Sequence, residues 1–110
     1  MDISHALTAF DALGQPTRLA VFRLLVQAGP EGVSAGDIAV RLDVRQNTLS
    51  THLGVLVAAG LVTAQRKGRS IRYFANLTAL RESVGWLLQD CCGGKPEACK
   101  PILDLIICSC

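Results

Sequence analysis

The hydrophobic positions between residues 44 and 62 repeat with the period of a helix that has one apolar face. At about 100° per residue, Leu49, Leu53 and Leu56 lie on one side of this helix. The other side carries short amide and hydroxyl side chains, those of Asn47, Thr48, Ser50 and Thr51. A helix that needs only solubility usually carries Lys and Glu there. Short polar groups suit a helix in a DNA major groove, although an ordinary amphipathic helix fits this stretch alone equally well.

The residues that follow predict a β-hairpin with a basic tip. Gly60 indicates the end of the helix, and residues 61–66 and 70–76 have the composition of two strands. The turn between them, Lys67-Gly68-Arg69, contains a glycine that supplies the permissive backbone a tight turn needs. A polar-faced helix followed by a basic hairpin is typical of a winged helix-turn-helix, whose wing contacts phosphate or the minor groove.

Charge is distributed unevenly along the chain. The net charge is only +2. However, no acidic residue lies between Asp43 and Glu82, whereas the basic residues there are Arg45, Arg66, Lys67, Arg69, Arg72 and Arg81. The distribution, rather than the total, therefore indicates a polyanionic partner.

Three more helices are predicted before the polar-faced helix. Residues 4–13 form a short amphipathic helix, and residues 16–27 form a helix that is apolar on most sides and should be central to the core. Ser34 is a plausible N-cap for a third helix that ends at Leu42. Asp43 and Val44 then form the tight turn of the helix-turn-helix. The predicted fold is mostly α with one β-hairpin.

A last helix follows the hairpin, capped by Asn76 or Thr78 and continuing to Cys91, before residues 93–96 stop it. The first and last helices both carry apolar stripes. Packing within the chain could cover them, but the core already has three helices and a hairpin, so a two-fold partner is favoured. In a homodimer the two polar-faced helices, which we call the reading helices, would lie roughly 34–36 Å apart. The predicted binding site is therefore an imperfect inverted repeat in double-stranded DNA.

Length and cysteine content add limits on organisation and location. The 110 residues predict one winged-helix and dimerisation domain, residues 1–92, and a cysteine-containing tail, residues 93–110. The N-terminus does not resemble a signal peptide, and no apolar run approaches a membrane span. We therefore expect a cytoplasmic protein without a membrane partner. In that compartment an odd count of 5 cysteines favours reduced thiols, metal ligands or sensors over structural disulfides.

Three segments in order resemble the ArsR/SmtB family of winged-helix transcription factors: residues 13–19, residues 47–62 and residues 66–73. The similarity runs from about Ser4 to Cys99. It implies a homodimer that represses its own operon and releases DNA when a metal ion or metalloid binds.

The resemblance also implies which residues contact DNA. The expected set is Gln46, Asn47, Thr48, Ser50 and Thr51 on the reading helix, with Lys67 and Arg69 on the wing. This chain departs from the family at Arg45, where a serine is frequent. Arginine cannot cap the helix, and the helix dipole disfavours its charge there. We therefore expect Arg45 to contact a DNA phosphate or a guanine edge.

The cysteines near the end of the chain are the candidate inducer site. Residues 38–40 lack the Cys-x-Cys of many arsenic sensors, and the last helix lacks the His and Asp pattern of zinc sensors. Cys91, Cys92 and Cys99 instead resemble a less common arsenic-sensing variant. Trivalent arsenic and antimony favour three thiolates, whereas zinc requires a fourth ligand. Adjacent helical side chains diverge by about 100°, so the helix end must unwind to bring Cys91 and Cys92 to one ion.

The resulting prediction is a repressor of an arsenic-resistance operon with no constitutive cofactor, released by As(III) or Sb(III). A redox sensor of the same fold, in which Cys91 or Cys92 pairs with Cys99, is the alternative, together with other soft-metal sensing. A thiol enzyme is disfavoured because no anion-cradling loop lies beside the cysteines. Cys108 and Cys110 follow an apolar tail that we expect to pack on the dimer helix, with a second thiol site as the other option.

Overall fold

A computed structural model describes residues 2–88. Its elements are α1 (Ile3–Leu13), α2 (Pro16–Ala28), a short 3₁₀ helix (Gly29–Glu31), β1 (Val33–Ser34), α3 (Ala35–Leu42), α4 (Gln46–Ala58), β2 (Val62–Lys67), β3 (Ser70–Ala75) and α5 (Leu77–Leu87). The strands form one antiparallel sheet in the order β1-β3-β2. The predicted winged helix-turn-helix, mostly α with a β-hairpin, is confirmed.

The core lies where α2, α3, α4 and the base of the hairpin meet. Its largest fully buried apolar side chains are Val21, Leu25, Ile38, Leu49, Leu53, Leu56, Leu61 and Val62. The predicted central position of α2 is confirmed, because this helix contacts α1, α3, α4 and β3. Not all of its apolar side chains are buried, since Leu19 and Val26 are 45% and 38% exposed.

Local hydrogen bonds form the helix-turn-helix as the sequence predicted. The Ser34 hydroxyl oxygen accepts the Asp37 N–H at 3.2 Å and caps α3. At the other end Asp43 takes a left-handed backbone, with φ 51°. Its N–H donates to the Val40 carbonyl at 3.3 Å, and the Val44 N–H donates to the Ala39 carbonyl at 3.0 Å. This is the Schellman pattern, which reverses the chain between α3 and α4.

The same pattern ends α4. The Gly60 N–H donates to the Val57 carbonyl at 3.0 Å, and the Leu61 N–H donates to the Leu56 carbonyl at 3.1 Å. The predicted stop at Gly60 is therefore confirmed, and the chain enters β2 with Leu61 already in the core.

The hairpin closes with a two-residue turn, because Lys67 pairs with Ser70. Gly68 occupies the first central position with φ 62°, as a type II′ turn requires. The sequence analysis did not predict β1. This strand pairs only Val33 with Tyr73 and Ser34 with Arg72, and two residues are too few to show an alternating pattern.

The last helix is shorter than predicted. Asn76 caps α5 by accepting the Ala79 N–H at 3.3 Å, which confirms one of the two predicted caps. However, α5 ends at Leu87 rather than Cys91, and Leu88 has already left helical geometry at ψ 4°. Leu87 is 59% exposed, so little packing among residues 2–88 supports the last turn. The predicted domain boundary at residues 92–93 lies outside the described residues.

The first helix buries one face and exposes another. Ala6, Ala9 and Ala12 are at most 3% exposed, whereas Ile3 and Leu7 are 58% and 62% exposed. Helix α1 contacts α5, and α5 also has an exposed apolar side chain, that of Leu87. Packing among residues 2–88 therefore does not cover these side chains, and their burial by a second copy remains a prediction.

Candidate nucleic-acid interface

Helix α4 has the two faces that the sequence predicted. Leu49, Leu53 and Leu56 are at most 2% exposed and hold the helix against the core. The predicted contact residues of this segment are all exposed: Arg45, Gln46, Asn47, Thr48, Ser50 and Thr51. The core therefore fixes the orientation of the helix and leaves its short polar groups on the surface.

The first turn of α4 is capped in an unusual way. Arg45 occupies the N-cap position without a capping side-chain hydrogen bond, as the sequence predicted. Instead, the Asn47 Oδ1 accepts the Thr48 N–H at 2.9 Å. The Thr51 hydroxyl donates to the Asn47 carbonyl at 3.3 Å. Two of the predicted contact residues thus already have part of their hydrogen-bonding capacity engaged within the helix.

The wing presents cations that no carboxylate neutralises within residues 2–88. The one ion pair in that range joins His5 and Asp2 at 3.0 Å, at the far end of the chain. Lys67 and Arg69 are exposed at the tip of the hairpin, as predicted. Unpaired cations beside an exposed polar helix attract a polyanion and release its counterions on binding.

Arg66 is a candidate contact residue that the sequence analysis did not include in the site. It lies opposite Ile71 in the sheet, and cross-strand partners share one face. On that face Ile71 and Tyr73 line a cleft of about 200 Å³ together with Gln46 and Ser50 of α4. Arg66 therefore extends from the side of the wing that faces the reading helix. The sequence could have identified this face, because side chains alternate between the two faces of a strand and Arg66 therefore lies on the same face as the apolar Val62.

Arg72, in contrast, has part of its guanidinium group engaged within the protein. Its Nε donates to the backbone carbonyl of Glu31 at 2.9 Å. This bond ties β3 to the 3₁₀ helix, so Arg72 holds the wing in place although the sequence counted it among the basic residues of the hairpin.

A second arginine connects α1 to the reading helix. The Arg18 Nε donates to the Ala12 carbonyl at 2.6 Å, and its Nη2 donates to the Asp11 carbonyl at 3.4 Å. Its Nη1 lies 3.4 Å from the Nδ1 of His52 on α4. The sequence analysis assigned no role to His52 or to Arg18. Neither residue carries a local signal for this contact, because 34 positions separate them.

The predicted inducer ligands Cys91, Cys92 and Cys99 lie outside the described residues, as do Cys108 and Cys110. Between residues 2 and 88, no group of three or more His, Cys, Asp or Glu side chains could hold a metal ion. Over the same range, every helix is too short or too polar to cross a membrane.

Comparison with known proteins identifies the family. A helix-turn-helix domain family matches residues 13–65, which extend from the end of α1 into β2. The transcriptional repressor SdpR of Bacillus subtilis is 37% identical over 79 residues, which cover 72% of this chain and 84% of SdpR. An ArsR-like transcriptional regulator from Rhodococcus sp. RHA1 superposes with a TM-score of 0.71 at 29% identity, covering 94% of this chain and 93% of the other.

The chain belongs to the ArsR family of helix-turn-helix transcriptional regulators. A further similar structure is the homodimeric winged helix-turn-helix DNA-binding domain Mb0332 of Mycobacterium bovis, a possible ArsR-family regulator. It has a TM-score of 0.65 and 25% identity, and the match covers 80% of this chain and 82% of that one. This ArsR-family protein is therefore a DNA-binding transcriptional regulator and not an enzyme.

Proposed function

We propose that this ArsR-family regulator represses an arsenic-resistance operon as a homodimer and leaves its operator when trivalent arsenic or antimony binds Cys91, Cys92 and Cys99. The observation that carries the DNA-binding part is the exposed polar face of α4 beside a wing with unpaired cations. The similarity to the B. subtilis repressor supports repression as the regulatory outcome.

The interface divides into positioning and reading groups. Lys67, Arg69 and Arg66 extend from the wing toward phosphates, and such contacts supply affinity that falls with salt. Gln46 and Ser50 lie on the exposed side of α4, where a major groove admits a helix and offers base edges. Arg45 is exposed at the start of α4 and makes no capping bond with its side chain, which supports a contact with a phosphate or a guanine edge.

A homodimer is supported by the exposed apolar side chains of α1 and α5. Ile3, Leu7 and Leu87 are each more than half exposed. The M. bovis relative with this fold is homodimeric. A two-fold arrangement through α1 and α5 would place two α4 helices on one face, and its operator would be an imperfect inverted repeat.

The inducer part of the proposal depends on the chemistry of the cysteines and on where α5 leads. Three thiolates suit trivalent arsenic or antimony. Leu88 immediately follows α5, and Cys91 is only three positions farther along the chain. Because α5 contacts α1, an ion that reshapes the chain after α5 would act on the surface proposed for the dimer. Release then requires that the ion bind the DNA-free form more tightly than the DNA-bound form.

The test is binding of the reduced protein to its own promoter DNA with and without arsenite. We expect arsenite to release the native protein but not a variant with Cys91→Ser, Cys92→Ser and Cys99→Ser. A Cys108→Ser, Cys110→Ser variant is the matched control and should respond like the native protein. If the protein binds DNA and arsenite does not release it, arsenite is not the inducer. If peroxide releases the protein and a reductant restores binding, the redox alternative is favoured. Absence of DNA binding would refute the interface.

A further inference from the structure

We infer that Asn47 reads the operator through its amide nitrogen alone and therefore specifies guanine. This inference depends on the proposed operator binding by α4. It concerns which base pair the reading helix selects, and it follows from how the start of that helix satisfies its own backbone.

The first argument is that the Asn47 oxygen has a structural task. The first backbone hydrogen bond of α4 runs from the Leu49 N–H to the Arg45 carbonyl at 2.8 Å. The Thr48 N–H precedes it and has no carbonyl within the helix to bond. Arg45 cannot supply a capping side chain. Asn47 does so, because its Oδ1 accepts that N–H at 2.9 Å.

The second argument concerns what remains for DNA. Asn47 is exposed, and with its oxygen turned toward the helix backbone the NH₂ group is the free end of the side chain. An asparagine that reads adenine must present oxygen and nitrogen outward together, to N6 and N7. The side-chain rotamer that accepts the Thr48 N–H turns the oxygen toward the helix backbone, so pairing with adenine would require the amide to rotate away from this bond. Guanine instead offers two adjacent acceptors, O6 and N7, which match the two hydrogens of one NH₂ group.

Gln46 is the natural comparison on the same turn. It carries the same amide group and is exposed, and its side chain makes no hydrogen bond within residues 2–88. Both ends of that amide are therefore available to a base. The chain thus contains a matched pair of amides, one with its oxygen engaged and one without.

The experiment is a base-substitution series on the promoter duplex, measured by fluorescence anisotropy at one salt concentration with native protein, Asn47→Ala and Gln46→Ala. Asn47 reads the base pair whose substitution lowers the affinity of the native protein but not that of Asn47→Ala. We expect the native protein to prefer a G·C pair there by about 5- to 150-fold, the range of a good side-chain contact to a base. Replacing that guanine with 7-deazaguanine should weaken native binding but not Asn47→Ala binding. Gln46→Ala should leave this position unchanged.

A second variant separates the capping role from the reading role. Asn47→Asp retains an oxygen acceptor for the Thr48 N–H and has no NH₂ group. We expect it to melt at or above the native temperature, since a negative charge is favourable at a helix start, and to lose operator affinity. Asn47→Ala should melt lower than both.

Preference for an A·T pair at the Asn47 position overturns the inference, as does Asn47→Asp melting below Asn47→Ala. In either case native binding to the promoter leaves the proposed function standing. Failure of the native protein to bind the duplex refutes the proposed function, and the inference with it.

Discussion

Replacing Leu7 with glutamate should convert the proposed dimer to a monomer without unfolding the protomer. Leu7 lies on α1 and is 62% exposed, whereas the core-facing side of that helix is formed by Ala6 and Ala9, at most 3% exposed. The substitution therefore changes the surface that a partner would cover and leaves the protomer core intact.

The magnitude follows from the exposed fraction. Full burial of a leucine side chain is worth about 1.5–3 kcal/mol, so covering the exposed 62% of Leu7 contributes about 1–2 kcal/mol in each protomer. A two-fold interface contains the side chain twice, which gives about 2–4 kcal/mol for the dimer. At about 1.4 kcal/mol per factor of ten, dimerisation should weaken by about 30- to 700-fold. A buried carboxylate would add to this loss.

The assay is sedimentation equilibrium of native protein and Leu7→Glu, with circular dichroism to confirm that the helices remain. Val40→Glu is the control, because Val40 is 80% exposed on α3, a helix that contacts α2 and α4 rather than α5. We expect the control to dimerise like the native protein. A Leu7→Glu protein that remains dimeric at micromolar concentration would refute the assignment of this surface. Operator affinity should fall together with the dimer fraction.

Three further predictions concern the parts that hold the site in place. Arg18→Met should lower the free energy of unfolding by about 1.5–3 kcal/mol in urea denaturation, because it removes the guanidinium that binds the Ala12 carbonyl; an unchanged midpoint would contradict this role. Gly32→Ala should destabilise the protein more than Gly29→Ala, since both have φ near +67° but only at Gly32 would a Cβ lie 2.6 Å from a neighbouring carbonyl oxygen. The hydrogen bond from the His5 N–H lowers the pKa of Asp2 below its usual 3.8, so the first turn of α1 should be stabilised above that pH and lose this support as pH falls through the lowered pKa. Far-UV circular dichroism would show it, and Asp2→Asn should show no such acid step.

Features that depend on a few neighbouring residues were predictable. The Ser34 cap, the turn at Asp43 and the stop at Gly60 each rest on hydrogen bonds between residues three to five positions apart. The polar face of α4 follows from a period of 3.6 residues. The five DNA-contact residues predicted within α4 were found exposed for the same reason, because local periodicity determines which side chains the core can use; Lys67 and Arg69 are exposed because they lie at the tip of the hairpin.

The sequence by itself therefore determined the helices, the hairpin and the outward face of the reading helix, because backbone propensity, capping and hydrophobic period act over short distances. Tertiary structure decided how these parts are held. Arg72 binds the Glu31 carbonyl across 41 positions, and Arg18 approaches His52 across 34. It also decided that Arg66 shares the face of the wing that meets α4. Such contacts arise only when the core brings distant segments together, and a basic residue that binds DNA has the same local pattern as one that binds its own backbone.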